Sequence, residues 1–134
     1  MAAARMLRPG RFQLEAAIQS AHLSPAFARP RDWAAIVALY DALLAYAPTI
    51  GALVNRAAAL AEASGAAAGL EASDAIPADI AESYQSWWAL RAHLFARLDR
   101  HAEARVAYQH AAGLTQSSAI RDFLLARHDA LPRT

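Results

Sequence analysis

Five histidines, His22, His93, His101, His110 and His128, are the side chains of this sequence best suited to proton transfer or metal ligation. They are scattered, and none belongs to an H-E-x-x-H pair that would place two imidazoles on one helix face. His101-Ala-Glu103 reproduces the opening of a zinc deaminase signature, but that chemistry also needs a Pro-Cys-x-x-Cys segment. The chain contains no cysteine, which also excludes thiolate zinc sites, iron–sulfur clusters, disulfide scaffolds and cysteine nucleophiles. Gly65 and Gly69 are separated by alanines and followed by no lysine, so a phosphate loop is absent. Ser20, Ser64, Ser83 and Ser86 lie outside any G-x-S-x-G elbow. No catalytic constellation, cofactor or metal is expected on this reading, and a small helical enzyme is the least favoured function class.

Groups suited to contact remain. Arg91, Arg97, Arg100 and Arg105 form the most polarised stretch. The plain reading is a solvated face balanced by Asp99 and Glu103, with Arg100 close enough to Glu103 to pair. The functional reading is an anionic contact, because a guanidinium offers a planar fork to carboxylates. Trp87 and Trp88 are adjacent and cannot share one helix face. Core packing is favoured for Trp87, with a partner contact second. Asn55-Arg56 falls in mid-helix, where asparagine is a poor helix former. A polar bond between helices is the first reading there, and partner binding again the second.

The elements that must position these groups are helices. Hydrophobic residues make up 57% of the 134, and alanine alone exceeds a quarter, a composition suited to close helix packing. All thirteen basic residues are arginine and twelve acidic residues oppose them, leaving a net charge of +1. That balance argues against direct DNA binding by this chain. No run approaches 18 consecutive apolar residues, so no membrane span is expected. Residues 1–10 carry Arg5 and Arg8 but lack the apolar core of a secretory signal, and a soluble cytoplasmic protein is expected.

Apolar periodicity predicts an all-α fold of about seven helices, with no segment alternating as a strand would. Residues 1–10 read as an arm or remnant linker, and 11–134 as a single helical-repeat domain. A helix is predicted over Gln13–His22, interrupted by Pro25 and Pro30. Asp32 caps the next, whose stripe is Trp33, Ile36, Val37, Tyr40, Leu44 and Ala47, ending at Pro48. Thr49 caps a third to about Ala63, closed by Ser64-Gly65. A fourth covers Ala66–Ala75. Asp79 and Glu82, in capping-box spacing, are expected to open a fifth through Leu98. A sixth spans about Ala102–Gly113 with Ala104, Tyr108 and Ala111 inward. Ser117 or Ser118 opens the last, carrying Ile120, Phe123, Leu124 and Leu131.

Short links make these helices antiparallel neighbours, and one repeat is legible. Trp88, Ala92, Phe95, Ala104, Tyr108 and Ala111 take positions 4, 8, 11, 20, 24 and 27 of a tetratricopeptide unit of roughly 34 residues. Small residues at three of those positions let paired helices approach closely. Elsewhere the repeat is degenerate, with Tyr40 and Pro48 fitting an earlier unit. The expectation is a right-handed tetratricopeptide-like solenoid of antiparallel hairpins. In that register Ala89, His93, Ala96 and Arg97 face the concave side, where a peptide or partner helix would bind.

The order of segments also resembles a narrower family. Gly10-Arg-Phe12-Gln13-Leu-Glu-Ala-Ala-Ile18, Asp32-Trp33-Ala-Ala-Ile36-Val-Ala-Leu39-Tyr40-Asp41, Asn55-Arg56-Ala57, Trp87-Trp88-Ala-Leu-Arg91-Ala92-His93-Leu94 and Arg100-His101-Ala-Glu103-Ala104 carry the likeness. They look like the C-terminal extension of a subgroup of bacterial extracytoplasmic-function RNA polymerase sigma factors. Arg11, Phe12 and Asp99 depart from that pattern, Asp99 standing where a turn glycine is common. The resemblance implies a helical-repeat module that modulates transcription initiation through contacts with RNA polymerase or sigma regions. It does not carry over sigma activity, because neither DNA-reading region is present in the chain. Asn55, Arg56, Trp87, Arg91, His93 and Arg97 are the candidate partner-binding residues. A general tetratricopeptide adaptor for an unrelated peptide is the alternative.

Overall fold

The computed structural model describes residues 32–133. The arm at 1–10, the helix expected over Gln13–His22 and the proline-containing insertion lie outside the described residues. Seven helices and no strands are found among those described: α1 (Trp33–Tyr46), α2 (Ile50–Ser64), α3 (Ala66–Asp74), α4 (Ala78–Ala81), α5 (Gln85–Arg97), α6 (His101–Leu114) and α7 (Ser118–Asp129). None is long and apolar enough to cross a membrane.

Local chemistry sets most of the boundaries. The Asp32 carboxylate accepts from the Ala35 amide at 3.1 Å, and the Thr49 hydroxyl from the Ala52 amide at 3.2 Å. Ser117 does the same for Ile120 at 3.2 Å, so it and not Ser118 caps α7. Each cap satisfies one of the amides that a first turn leaves unpaired. Gly65, at φ 102°, is the single residue between α2 and α3, and it holds a conformation that side chains rarely adopt. Asp99 takes the left-handed φ of 60° between α5 and α6, so it occupies the conformation glycine would favour there.

The expected fifth helix is two pieces. Asp79 and Glu82 do not form a capping box: Asp79 lies inside the single turn α4, and Glu82 is the C-cap of that turn. The Glu82 carbonyl accepts from the Trp88 indole N–H at 2.8 Å. Tyr84 then turns extended, and α5 begins at Gln85 without a side-chain cap. The Tyr84 hydroxyl lies against Gly51 of α2, where an added Cβ would come within 3.1 Å of it.

Packing follows chain order: α1 on α2, α2 on α3, α3 on α5, α5 on α6 and α6 on α7, with a further contact between α2 and α5. Ile36, Tyr40 and Leu43 of α1 are buried against Ala52 and Ala59 of α2. Val54, Ile76, Ala81 and Trp87 form a second cluster. The third and largest joins Ala61, Leu70, Ala92, Leu94, Phe95, Ala104, Tyr108, Ala111 and Leu124. Burying a side chain such as Leu94 contributes about 1.5–3 kcal/mol. At the α2–α3 crossing, a Cβ on Gly69 would lie 2.5 Å from that of Ala61.

Candidate functional site

Trp87 and Arg91 stand one helical turn apart on α5, so both reach α3. Ser73 of α3 is wholly buried, and its hydroxyl donates to the Leu70 carbonyl at 2.7 Å. That same oxygen accepts from Arg91 Nη1 at 2.7 Å, and the Ser73 carbonyl accepts from Trp87 Nε1 at 3.0 Å. Arg91 also pairs with Asp74. Its guanidinium carbon lies 4.7 Å from the Trp87 ring centroid and 5.1 Å from that of Phe95. Such cation–π contacts add about 0.5–2 kcal/mol, more as the group is desolvated. Only 15% of the Arg91 side chain is exposed, and its Nε is buried without a hydrogen-bond partner. Trp87 is 7% exposed. These two candidates therefore hold α5 to α3, and they present little surface to a partner.

Trp88 faces another way. Its ring stacks on His110 of α6 at 4.0 Å and 13°, and meets Trp87 edge-on at 4.8 Å. Adjacent indoles thus serve two different seams.

Asn55 and Arg56 both engage α1. The Asn55 side chain hydrogen-bonds the Tyr40 hydroxyl, whose pKa is raised by burial, the Asn55 bond opposing that rise. Arg56 Nε donates to Asp41 Oδ1 at 2.6 Å. Neighbouring residues on α2 thereby grip neighbouring residues on α1 with one neutral and one charged bond.

His93 and Arg97 lie at i and i+4 on α5, on a more open face. Arg97 Nη1 is 3.5 Å from Glu62 Oε2 of α2. His93 is half-buried, and its pKa is lowered first by burial, then by the positive charges of Arg97 and of Arg127 on α7, with Glu62 acting in the opposite sense. Arg127 lies over the Phe123 ring at 5.8 Å. Phe123 is 61% exposed and Ile120, on the same stripe of α7, 46%; of the apolar residues on that helix only Leu124 is buried. The charges of Arg97 and Arg127 thus both act on the His93 imidazole, and Arg127 also borders the exposed Phe123 ring. Sequence reasoning did not select Arg127 or Glu62. Their proximity to His93 joins residues more than thirty positions apart, which spacing along one helix cannot reveal.

The arginine stretch does not form one patch. Arg91 turns inward and Arg97 reaches Glu62. Arg100 pairs with Glu103 through two bonds of 2.7 Å, and Arg105 donates to the Pro132 carbonyl. Among the described residues no three His, Asp or Glu side chains gather as metal ligands would.

The chain is 30% identical over 129 residues to an uncharacterized protein of Rhizobium meliloti (strain 1021). That match covers 96% of this chain and 30% of the relative, so the chain spans about 30% of the length of the curated protein it resembles. No family model and no solved structure matches it.

Proposed function

We propose that this chain is a non-enzymatic helical-repeat interaction module, a tetratricopeptide-like solenoid that modulates transcription initiation by protein contact. The supporting observation is the packing of the α5–α6 hairpin. Ala92, Phe95, Ala104, Tyr108 and Ala111 are all buried, and Trp88 is half-buried in the same seam. These are the positions at which a tetratricopeptide unit needs small or aromatic residues. Packing in chain order is also what a repeat array requires.

The transcriptional part of the reading rests on the likeness of segments such as Asn55-Arg56-Ala57 and Trp87-Trp88 to the sigma-factor extension. A relative of about three times the length, in which the matching stretch is 30% of the chain, is in keeping with a module that works beside other regions. The proposed contact surface is His93 and Arg97 of α5 with Ile120, Phe123 and Arg127 of α7. Exposed aromatic and arginine side chains are the types that dominate binding energy at interfaces.

The test is a binding assay of the chain against RNA polymerase and against the two DNA-reading sigma regions, supplied separately. Weak transient contacts are expected at tens of micromolar. Arg97→Glu with Arg127→Glu should abolish the signal while the helical circular dichroism is retained. Binding to neither target at those concentrations overturns the transcriptional reading and leaves the general adaptor.

A further inference from the structure

The arginines among the described residues divide by partner. Arg56, Arg91, Arg97 and Arg100 each have a carboxylate: Asp41, Asp74, Glu62 and Glu103. From α6 onward none is paired with an acid among the described residues. Arg105 donates to a carbonyl, Arg121 donates to the Thr115 carbonyl at 3.0 Å, and Arg127 lies over an aromatic ring. Arg105 and Arg133, neither paired with an acid among the described residues, line one cavity of about 290 Å³ together with His128, Asp129 and Leu131.

We propose that this cavity binds a small organic oxyanion, a carboxylate or phosphate ester with a short apolar tail, between Arg105 and Arg133. The one acidic group in the wall is engaged: Asp129 Oδ1 is 2.9 Å from His128 Nδ1. The other imidazole nitrogen, Nε2, is 3.2 Å from Gln109 Nε2. The cavity wall thus sets two guanidiniums against a single carboxylate that is already engaged.

Arg105 spends Nη2 on the neutral Pro132 carbonyl, so its charge stays uncompensated while its remaining N–H groups are free to grip. It is also half-buried, which strengthens an ionic contact relative to open water. Two guanidiniums presenting forked donors suit an oxyanion better than a neutral ligand. Leu131 supplies an apolar wall for the tail. A volume of about 290 Å³ lies at the small end of ligand sites and has room for a charged group with a short tail.

The test is an NMR titration of the full chain with sodium butyrate, sodium acetate and sodium phosphate, against sodium chloride at equal ionic strength. Saturable shifts of Leu131, His128 and the Arg105 Nε–H are expected with butyrate or phosphate, butyrate binding more tightly than acetate. Saturation by butyrate but not phosphate assigns a carboxylate, and the reverse a phosphate. Arg105→Gln should weaken binding at least tenfold, and Arg121→Gln should leave it unchanged. Because Arg105→Gln also releases the Pro132 carbonyl, Arg133→Gln provides the second variant, and it must weaken binding with the spectrum otherwise intact. Shifts that grow linearly and equally with chloride, or binding unaffected by Arg133→Gln, overturn the proposal.

Discussion

Arg91 of α5 donates to the hydroxyl of Ser73 in α3 at 2.7 Å, across 18 positions of sequence. A charged side chain thereby enters a helix seam otherwise made by Trp87 and Phe95. Its aliphatic stem and flat guanidinium pack on the rings, while its Nε finds no acceptor. Packing is therefore expected to outweigh charge at this position. Arg91→Ala should lower unfolding stability by about 2–3 kcal/mol, through lost packing and a cavity. Arg91→Met should recover more than half of that, which urea denaturation at constant m-value would measure. Equal losses for the two variants would mean that the hydrogen bonds of Arg91, rather than its packing, hold α5 to α3.

Gly69 tests the α2–α3 crossing. A Cβ there would lie 2.9 Å from the Ala57 carbonyl oxygen as well as close to Ala61. Alanine gains about 1 kcal/mol in helix propensity, but overpacking costs about 1–3 kcal/mol. The net expectation for Gly69→Ala is a lower midpoint in thermal unfolding. A raised midpoint would mean that α2 and α3 separate easily.

Asp99 is expected to behave in the opposite way. Its φ of 60° costs a residue with a Cβ about 1–2 kcal/mol, and glycine escapes that strain. Asp99 Oδ1 is 3.7 Å from His101 Nε2, but the carboxylate is largely solvated, so little is lost with it. Asp99→Gly should stabilise by about 0.5–1 kcal/mol after glycine's greater freedom in the unfolded chain is counted. Chemical denaturation would read this directly.

His93 gives the chain a pH dependence of known sign. Burial, Arg97 and Arg127 hold its pKa below the ordinary 6.5, so the unfolded chain takes up this proton more readily than the folded one. Stability from this group is intact above about 6.5 and falls as pH drops from there through the lowered folded value. An NMR titration of the imidazole should show a midpoint below 6.5, and Arg127→Gln should raise it. No movement in that variant would remove Arg127 from the neighbourhood of His93.

Caps and turns were readable from the sequence because they act within a few residues. Asp32, Thr49 and Ser117 each bind an amide three positions on, and Arg100 reaches Glu103 at the same spacing. Ala92, Ala104 and Ala111 were legible as crossing residues because a helix repeats its faces regularly. The break at Glu82–Tyr84 was not. Asp79 and Glu82 have the spacing of a cap, but the Glu82 carbonyl is taken by Trp88 and the Tyr84 hydroxyl lies against Gly51 of α2.

The candidate contact residues divide in the same way. Sequence alone determined that the described residues would be helical, where most of their helices would start, and which types of side chain they could offer. Whether an arginine offers its charge outward was decided only by tertiary structure. Arg91 and Arg97 lie on one helix six positions apart, yet one sits against Ser73 and the other reaches Glu62. The reason is physical: periodicity fixes the face a residue occupies, while the neighbour on that face comes from another helix. That neighbour decides whether the charge is buried, paired or left for a ligand.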